Sequence, residues 1–184
     1  AMMRDQAHKQ MMEEGIGQNY SQEEQDEIAE TVGMAALKYA DLMNAREADY
    51  VFDIERFTQF KGKTGAYICY AAVRIKSILR KAAEKGFESS DLQAALEKSE
   101  INLMLVLLSI SDYVQLSIRE RKPHYLCEFL FELGQAFSRF YSDCHIMTEE
   151  DMARRGSLLR LCEIALDQME LVMGLLGMEA PERM

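Results

Sequence analysis

The chain has 184 residues, of which 48% are hydrophobic and 28% charged, and its net charge is −10 at pH 7. This length and balance fit one domain with a buried core and exclude a wholly disordered chain. With only 2 Pro and 10 Gly beside 13 Met, the composition argues against a sandwich or barrel of short strands and favours long helices. The longest uninterrupted apolar run, within 101–110, is far shorter than the ~20 residues that span a bilayer.

The first third of the chain is predicted to be helical with one short exception. Residues 4–14 read as a polar helix, and Ser21 followed by Glu24 forms the capping box expected at the start of a second helix. Residues 48–53 are the one plausible strand, and Asp53 can cap a brief helix that ends near residue 60. Residues 1–18 do not read as a signal peptide, because they contain no apolar core region. Since the first residue is Ala1 and not Met, we expect it to be a cloning scar or the end of a cut chain.

The rest of the chain predicts amphipathic helices, and the fold class is therefore an all-α helical bundle with a helical N-terminal extension. Ser99 and Ser111 are expected to cap helices, Pro123 and Thr148 to begin them, and Gly177 to end the last one. The helices predicted after a loop at 61–65 cover about 66–86, 91–110 (as one or two helices), 111–122, 123–141 and 148–177.

No motif in the sequence indicates a catalytic or metal site. Gly62-Lys63-Thr64 looks like the end of a phosphate-binding loop, but Phe57 stands where that motif needs Gly. His124 with Cys127, and Cys144 with His145, match no usual zinc spacing. We therefore expect no catalytic residue, no metal and no cofactor in this chain. The four cysteines, Cys69, Cys127, Cys144 and Cys162, are expected to be buried, reduced thiols of a cytoplasmic protein.

Positive charge is concentrated in one segment. Residues 61–90 carry 7 Lys or Arg and 2 acidic residues, whereas the segments on either side are net acidic. Such a segment can face a polyanion while the acidic remainder discourages indiscriminate binding. The alternative is that these cations only solvate one face of a helix.

One stripe of side chains within this segment is suited to unpaired nucleic acid. Tyr67, Tyr70, Arg74, Ser77 and Lys81 follow each other at spacings of three and four, so a helix places them on one face. Aromatic rings stack on unpaired bases and cations meet the phosphates. From periodicity alone, two core tyrosines beside a solvated row of charges explain the pattern equally well.

Four stretches of the sequence resemble the arginyl-tRNA synthetase family. NAREADYVFDIERF…FKGKTGAYICYAAVRIKSILRKA looks like the segment that enters the family's C-terminal anticodon-binding domain. FLFELGQAFSRFYSDC resembles the central helix of that domain, and LLGMEAPERM resembles the family's C-terminus. VGMAALKYADL resembles the helix just before the segment that enters the domain. The resemblance covers roughly 28–184, with a weaker similarity over 1–27.

The resemblance implies which residues approach RNA. In the family, an aromatic residue and an arginine on the entry helix, an aromatic residue on the central helix and the terminal Met approach the anticodon loop. They match Tyr70, Arg74, Tyr141 and Met184. Tyr67 and Tyr39 are weaker neighbours, and Lys81 continues the stripe of Tyr70 and Arg74.

The resemblance also implies what the chain lacks. The family is an ATP-dependent class I ligase of arginine to tRNA, and its catalytic domain, with the His-x-Gly-His signature, lies upstream of everything here. We expect a helical linker over 1–60 and the anticodon-binding bundle over 61–184. The partners implied are the anticodon loop of arginine tRNA and a catalytic domain in cis, with ATP bound only there. We expect a monomer that binds neither DNA nor a membrane.

The sequence departs from the family at one turn, and a second hypothesis therefore stays open. Where the family has Pro-Tyr-Leu-Gln-Tyr-Ala-His, this chain has Ala at 66, Cys at 69 and Ala at 72 in place of Pro, Gln and His. The first hypothesis is the tRNA-binding part of an arginine–tRNA ligase. The second is a stand-alone helical relative that serves protein interaction or regulation without binding tRNA.

Overall fold

The computed structural model describes residues 2–45, 47 and 49–184, and it contains helices and loops with no strand among these residues. The predicted all-α fold is confirmed. Ala1, on which one expectation rested, lies outside the described residues. The helices are α1 (Met2–Glu13), α2 (Gln22–Leu42), α3 (Ile54–Phe57), α4 (Gly65–Glu84), α5 (Lys98–Leu108), α6 (Ile110–Glu120), α7 (His124–Asp143) and α8 (Met152–Leu175), with a 3-10 turn at Ile146–Thr148.

Local signals begin several of these helices as predicted. The Ser21 hydroxyl accepts from the backbone N–H of Glu24, and the Glu24 carboxylate accepts from that of Ser21, so the predicted capping box of α2 is confirmed. The Asp53 side chain caps α3, and that of Thr64 caps α4. Asp151, rather than Thr148, caps α8, because residues 146–148 form the separate 3-10 turn.

The predicted strand at 48–53 is wrong for 49–53, and residue 48 lies outside the described residues. Residues 49–53 form an irregular loop. Its aromatic side chains pack on Phe57 of α3. The ring centroids of Phe52 and Phe57 lie 5.3 Å apart, and those of Tyr50 and Phe57 lie 6.4 Å apart. The Tyr50 hydroxyl donates to Asp41 at 2.9 Å. A lone strand has no partner for its backbone groups in a helical bundle, so side-chain packing determines the loop.

The helix predicted over 91–110 begins only at Lys98, and Ser99 is not its cap. The backbone N–H of Gln93 donates to the Ser157 hydroxyl on α8, at 2.9 Å. The Glu100 carboxylate accepts from the backbone N–H groups of residues 96 and 97, at 3.2 and 2.9 Å. A tertiary contact with Ser157 and the local cap by Glu100 thus satisfy a backbone that propensity alone would place in a helix. Ser111 is likewise not a cap, since α6 already begins at Ile110.

Helix α7 lies at the centre of the core and contacts α4, α5, α6 and α8. Its fully buried side chains include Phe129, Leu133, Phe137 and Phe140. Helix α1 packs on α2, which in turn packs on the beginning of α4. A Cβ at Gly65 would lie 2.3 Å from a backbone oxygen of α2, so only glycine permits this approach. The N-terminal helices and the bundle therefore share one continuous core.

All four cysteines are buried free thiols, as predicted. Burial raises the pKa of Cys69 and of Cys127 to about 12, and that of Cys144 to about 11. The pKa of Cys162 is also raised by burial. These thiols stay protonated near neutral pH and serve as small core residues.

Among the residues that the structure describes, one stretch, Lys98–Glu120, is long and apolar enough to cross a membrane by length and composition, with a mean hydropathy of 1.6 over its most apolar part. The sequence analysis considered only the uninterrupted apolar run within 101–110, whereas this longer stretch also includes polar residues. In the structure the stretch is two helices, α5 and α6, that meet at Ser109 and pack on α7. Only 11% of its most apolar part is buried in the structure, and a single stretch of this kind is weak evidence for a membrane span.

Candidate nucleic-acid interface

A cavity of about 290 Å3 lies between α4, the end of α7, the turn after it and the C-terminal residues. Helix α4 contributes four of its polar or aromatic side chains in the order that the sequence predicted. Their spacing of four, three and four residues brings them onto one face. The lining residues are Tyr70, Val73, Arg74, Ser77, Ile78, Lys81, Tyr141, Met147 and Met184.

Arg74 lies between two tyrosine rings in this cavity. Its guanidinium carbon is 5.1 Å from the ring centroid of Tyr70 and 5.7 Å from that of Tyr141. Its Nη2 also donates to the Tyr70 hydroxyl at 3.1 Å. Each ring attracts the cation through its quadrupole, so the two rings hold a long side chain in one place.

The two tyrosines are supported from behind and open towards the cavity. Tyr70 is half-buried and meets Phe60 edge to face, with 6.4 Å between ring centroids. Tyr141 stacks on the buried Phe137 at 6.4 Å with an interplanar angle of 11°, and it remains 37% exposed. The rings of Tyr70 and Tyr141 thus belong neither wholly to the core nor wholly to the solvent.

Two tyrosines named from the sequence lie elsewhere. Tyr67 packs edge to face on Phe131, 5.9 Å away between centroids, and its ring lies 3.2 Å from where a Cβ on Gly134 would be. Tyr39 is fully buried, and its hydroxyl donates to the backbone oxygen of Cys127 at 2.8 Å. Burial also raises the pKa of Tyr39. Neither side chain lines the cavity.

The basic segment is less available than its charge count suggests. Lys61 pairs with Glu14 and Lys63 with Glu128. Lys76 is 11% exposed and contacts Glu170 and Glu182 at 2.9 and 2.7 Å. Burial lowers the pKa of Lys76, but its hydrogen bonds with these two carboxylates outweigh that effect and leave the pKa raised. The cations that line the cavity are Arg74 and Lys81.

The residues after α8 bring Met184 to the cavity. Met178 is buried, and the Lys38 amine donates to the backbone oxygen of Gly177. The Cys69 thiol donates to the backbone oxygen of Glu179 with a sulfur–oxygen distance of 3.6 Å. These contacts fasten the end of the chain along α2 and α4. Sequence reasoning named Met184 but missed Met147, whose place in a short turn after α7 follows no helical spacing.

The rejected motifs have ordinary structural roles. The Thr64 hydroxyl donates to the backbone oxygen of Gln59 at 2.6 Å and caps α4, and Gly62 has a φ of +78° in the loop before it. Across the described part of the chain, no three His, Cys, Asp or Glu side chains converge in a way that could hold a metal ion.

Comparison with protein families identifies the class of this bundle. The DALR anticodon binding domain family matches residues 68–184. The chain belongs to that family. Residues 2–54 match a second family, the class I (R) tRNA synthetase catalytic domain. The structure thus joins, in one core, helices similar to part of a catalytic domain and an anticodon-binding bundle.

Curated relatives and solved structures agree with this assignment. An arginine–tRNA ligase of Maricaulis maris is 45% identical over 98% of this chain, and one of Hyphomonas neptunium is 42% identical over the whole of this chain. The chain spans about 30% of the length of these relatives. The arginyl-tRNA synthetase of Plasmodium falciparum superposes with a TM-score of 0.80 at 28% identity, over 99% of this chain and 32% of that structure. That of Thermus thermophilus, at 24% identity, matches the fold with a TM-score of 0.84 over 99% of this chain and 31% of its own.

Proposed function

We propose that this chain is the anticodon-recognising, tRNA-binding part of an arginine–tRNA ligase. The observation that carries the proposal is the cavity in which Arg74 lies between Tyr70 and Tyr141. Partly exposed aromatic rings beside cations suit a single-stranded RNA loop, because its bases are unstacked and its phosphates are close. The membership in the DALR family makes an anticodon loop the expected RNA.

Each side chain of the cavity has a distinct role in this proposal. Tyr141, the more exposed ring, stacks on a base, and Tyr70 supports the same base or its neighbour. Arg74 and Lys81 meet phosphates, and Arg74 can also stack its planar guanidinium on a base. Met184 supplies a flexible apolar contact at the edge of the cavity. Tyr67 is not included, because it packs on Phe131.

The chemistry of the ligase belongs to the larger part of the relatives that this chain does not cover. We propose that a catalytic domain in cis binds ATP and joins arginine to its tRNA, and that this chain contributes RNA recognition. In this proposal residues 1–60 link the two parts and residues 61–184 form the anticodon-binding bundle. The whole acts as a cytoplasmic monomer and binds neither DNA nor a membrane.

The alternative, an interaction module without tRNA, has one observation in its favour. Helices α5 and α6 expose large apolar side chains, with Leu105 at 61%, Leu108 at 75% and Ile118 at 73%. Exposed apolar groups of this size are typical of protein contacts. Against the alternative, the departures from the family turn at 66, 69 and 72 are fully buried and do not line the cavity.

Binding of the isolated anticodon stem-loop of arginine tRNA tests the proposal. Fluorescence anisotropy at several salt concentrations gives both the affinity and the slope of log K against log[salt]. Tyr141→Ala should weaken binding about tenfold or more, since a stacked base contributes roughly 1–3 kcal/mol. The matched control is Tyr50→Ala, because Tyr50 is 39% exposed, like Tyr141 at 37%, but lies outside the cavity.

Two results would overturn the proposal. The first is no binding by the unaltered chain at low salt. The second is an equal effect of Tyr141→Ala and Tyr50→Ala on affinity. A protein partner whose binding is lost with Leu108→Asp, together with either result, would establish the alternative.

A further inference from the structure

Residues 182 and 183 form ion pairs with two helices, α4 and α2. Glu182 contacts Lys76 on α4 at 2.7 Å, and Arg183 forms an ion pair with Glu24 on α2. Met184, the next residue, lines the cavity with Arg74. Glu182 and Arg183 therefore hold the chain to two different helices immediately before Met184, which lines the candidate RNA site.

The two carboxylate oxygens of Glu24 bind different partners, Ser21 at the start of α2 and Arg183. Its Oε2 accepts from the backbone N–H and the hydroxyl of Ser21, both at 3.0 Å, and completes the cap of α2. Its Oε1 accepts from Nη2 of Arg183. The hydrogen bonds from Ser21, and then that from Arg183, lower the pKa of Glu24. The carboxylate is therefore ionised at neutral pH, and the cap holds it in place.

An aromatic ring completes the setting of Arg183. Its guanidinium carbon lies 4.9 Å from the ring centroid of Tyr20, the residue before the cap. Arg183 is thus held by a charge and by a ring, both at the start of α2. Tyr20 and Glu24 fall within the segment that matches the catalytic-domain family, whereas Arg183 falls within the DALR match.

We propose that Arg183 is a positioning residue for the candidate RNA site, held by Glu24 and Tyr20 so that Met184 stays in the cavity. The last residues of a domain are poorly ordered unless contacts hold them, and Met has a flexible side chain with little conformational preference of its own. Arg183 directly precedes Met184 and is bound at the start of α2, so the position of Met184 depends on that contact. The expected effect of Arg183 on RNA binding rests on the proposed function, whereas its effect on the position of Met184 in the unbound protein does not.

The structural measurement follows the Met methyl groups in the unbound protein. With 13C-methyl methionine, NMR reports the Met184 signal, which the rings of Tyr70 and Tyr141 should shift away from its random-coil position. Arg183→Ala should move that signal towards the random-coil position and sharpen it. The signal of Met147, in the same cavity but on another segment, should stay in place.

Two charge variants separate the Arg183 contact from the helix cap. Glu24→Gln keeps the capping box, because Gln at this position also reaches the backbone, but it removes the charge that Arg183 meets. It should therefore move the Met184 signal as Arg183→Ala does. Glu23→Gln, one residue earlier and exposed, removes the same charge away from Arg183 and should leave the signal unchanged.

The RNA measurement asks whether Arg183 acts through Met184. Arg183→Ala should weaken binding of the anticodon stem-loop by roughly threefold or more, as expected for one exposed ion pair and one cation–π contact. The loss should not exceed that of Met184→Ala. In the double variant, Arg183→Ala should add little to Met184→Ala, because both remove the same contact.

The outcomes are decisive in each direction. An unchanged Met184 signal in Arg183→Ala overturns the inference, whatever the RNA shows. If Arg183→Ala weakens binding equally with and without Met184, Arg183 contacts RNA itself and is not a positioning residue. If the unaltered protein binds no RNA, the proposed function fails, while the methyl signals still decide whether Arg183 positions Met184.

Discussion

Replacing Glu100 with Ala is expected to destabilise the bundle by roughly 3–5 kcal/mol, because it leaves Arg154 as a buried charge without its partner. The two side chains are 1% and 9% exposed. Arg154 Nη1 donates to Glu100 Oε2 at 2.6 Å, and Nη2 donates to Oε1. For a chain of this length, about 2–4 °C of melting temperature corresponds to each kcal/mol, so we expect a decrease of roughly 6–20 °C.

Thermal unfolding of three variants, followed by circular dichroism, tests this magnitude. Glu100→Gln should cost less than Glu100→Ala, because the amide oxygen still accepts from the backbone N–H groups of residues 96 and 97. Glu163→Ala is the control. It breaks a more exposed ion pair with Arg160, whose side chains are 33% and 51% exposed, and it should cost at most about 1 kcal/mol. If Glu100→Ala melts no lower than Glu163→Ala, the buried pair does not stabilise the fold.

The same pair predicts a dependence on pH. Burial alone raises the pKa of Glu100, but the hydrogen bonds from Arg154 and from the backbone outweigh it and leave the pKa lowered. A carboxyl whose pKa is lowered by folding contributes its full stability above its unfolded pKa, about 4.3, and loses it as the pH falls through the folded value. The stability difference between the unaltered protein and Glu100→Gln should therefore shrink below about pH 4.

Four further predictions concern the cavity and the contact between α4 and α2 at Gly65. Tyr70→Ala should lower both RNA affinity, by about tenfold or more, and the melting temperature, because the half-buried ring also packs on the core. Lys81→Ala should reduce the slope of log K against log[salt] by about 0.7, whereas Lys76→Ala should leave the slope unchanged, since carboxylates already neutralise Lys76. Arg74→Lys should keep the salt slope but weaken binding, because an ammonium lacks the planar face that stacks. Gly65→Ala should lower the melting temperature, since its Cβ would overlap the backbone of α2.

The sequence predicted the part of the site that a single helix determines. The spacing of Tyr70, Arg74, Ser77 and Lys81 is a property of α4 alone, so the face they share could be read before any packing was known. Tyr67 belongs to the same stripe but lies nearly a turn earlier, where the neighbouring α7 approaches. Gly134 on α7 makes room for its ring, and no feature of the α4 sequence indicates that contact.

The features that the sequence did not predict depend on contacts between distant segments. Helix α5 begins late because Glu100 and Ser157 satisfy the backbone before it, and one of these residues lies on α8. The count of cations in the basic segment did not show that Lys76 faces Glu170 and Glu182. Charge patterns along a chain give the number of cations, whereas packing decides which of them meet a ligand.

The position of Arg74 bears on how the cavity would receive RNA. Because Tyr70 and Tyr141 already hold the guanidinium, much of the conformational entropy of this long side chain is lost before RNA arrives. A base that contacts the exposed part of the Tyr141 ring would then meet a cation in a fixed place, and the phosphate beside it would gain a partner without further ordering. The side chains that line the cavity with Arg74 include no carboxylate, although the chain as a whole has a net charge of −10. An acidic protein can thus present a localised site for a polyanion, while its overall negative charge, screened at physiological salt, opposes non-specific binding of RNA elsewhere on the surface.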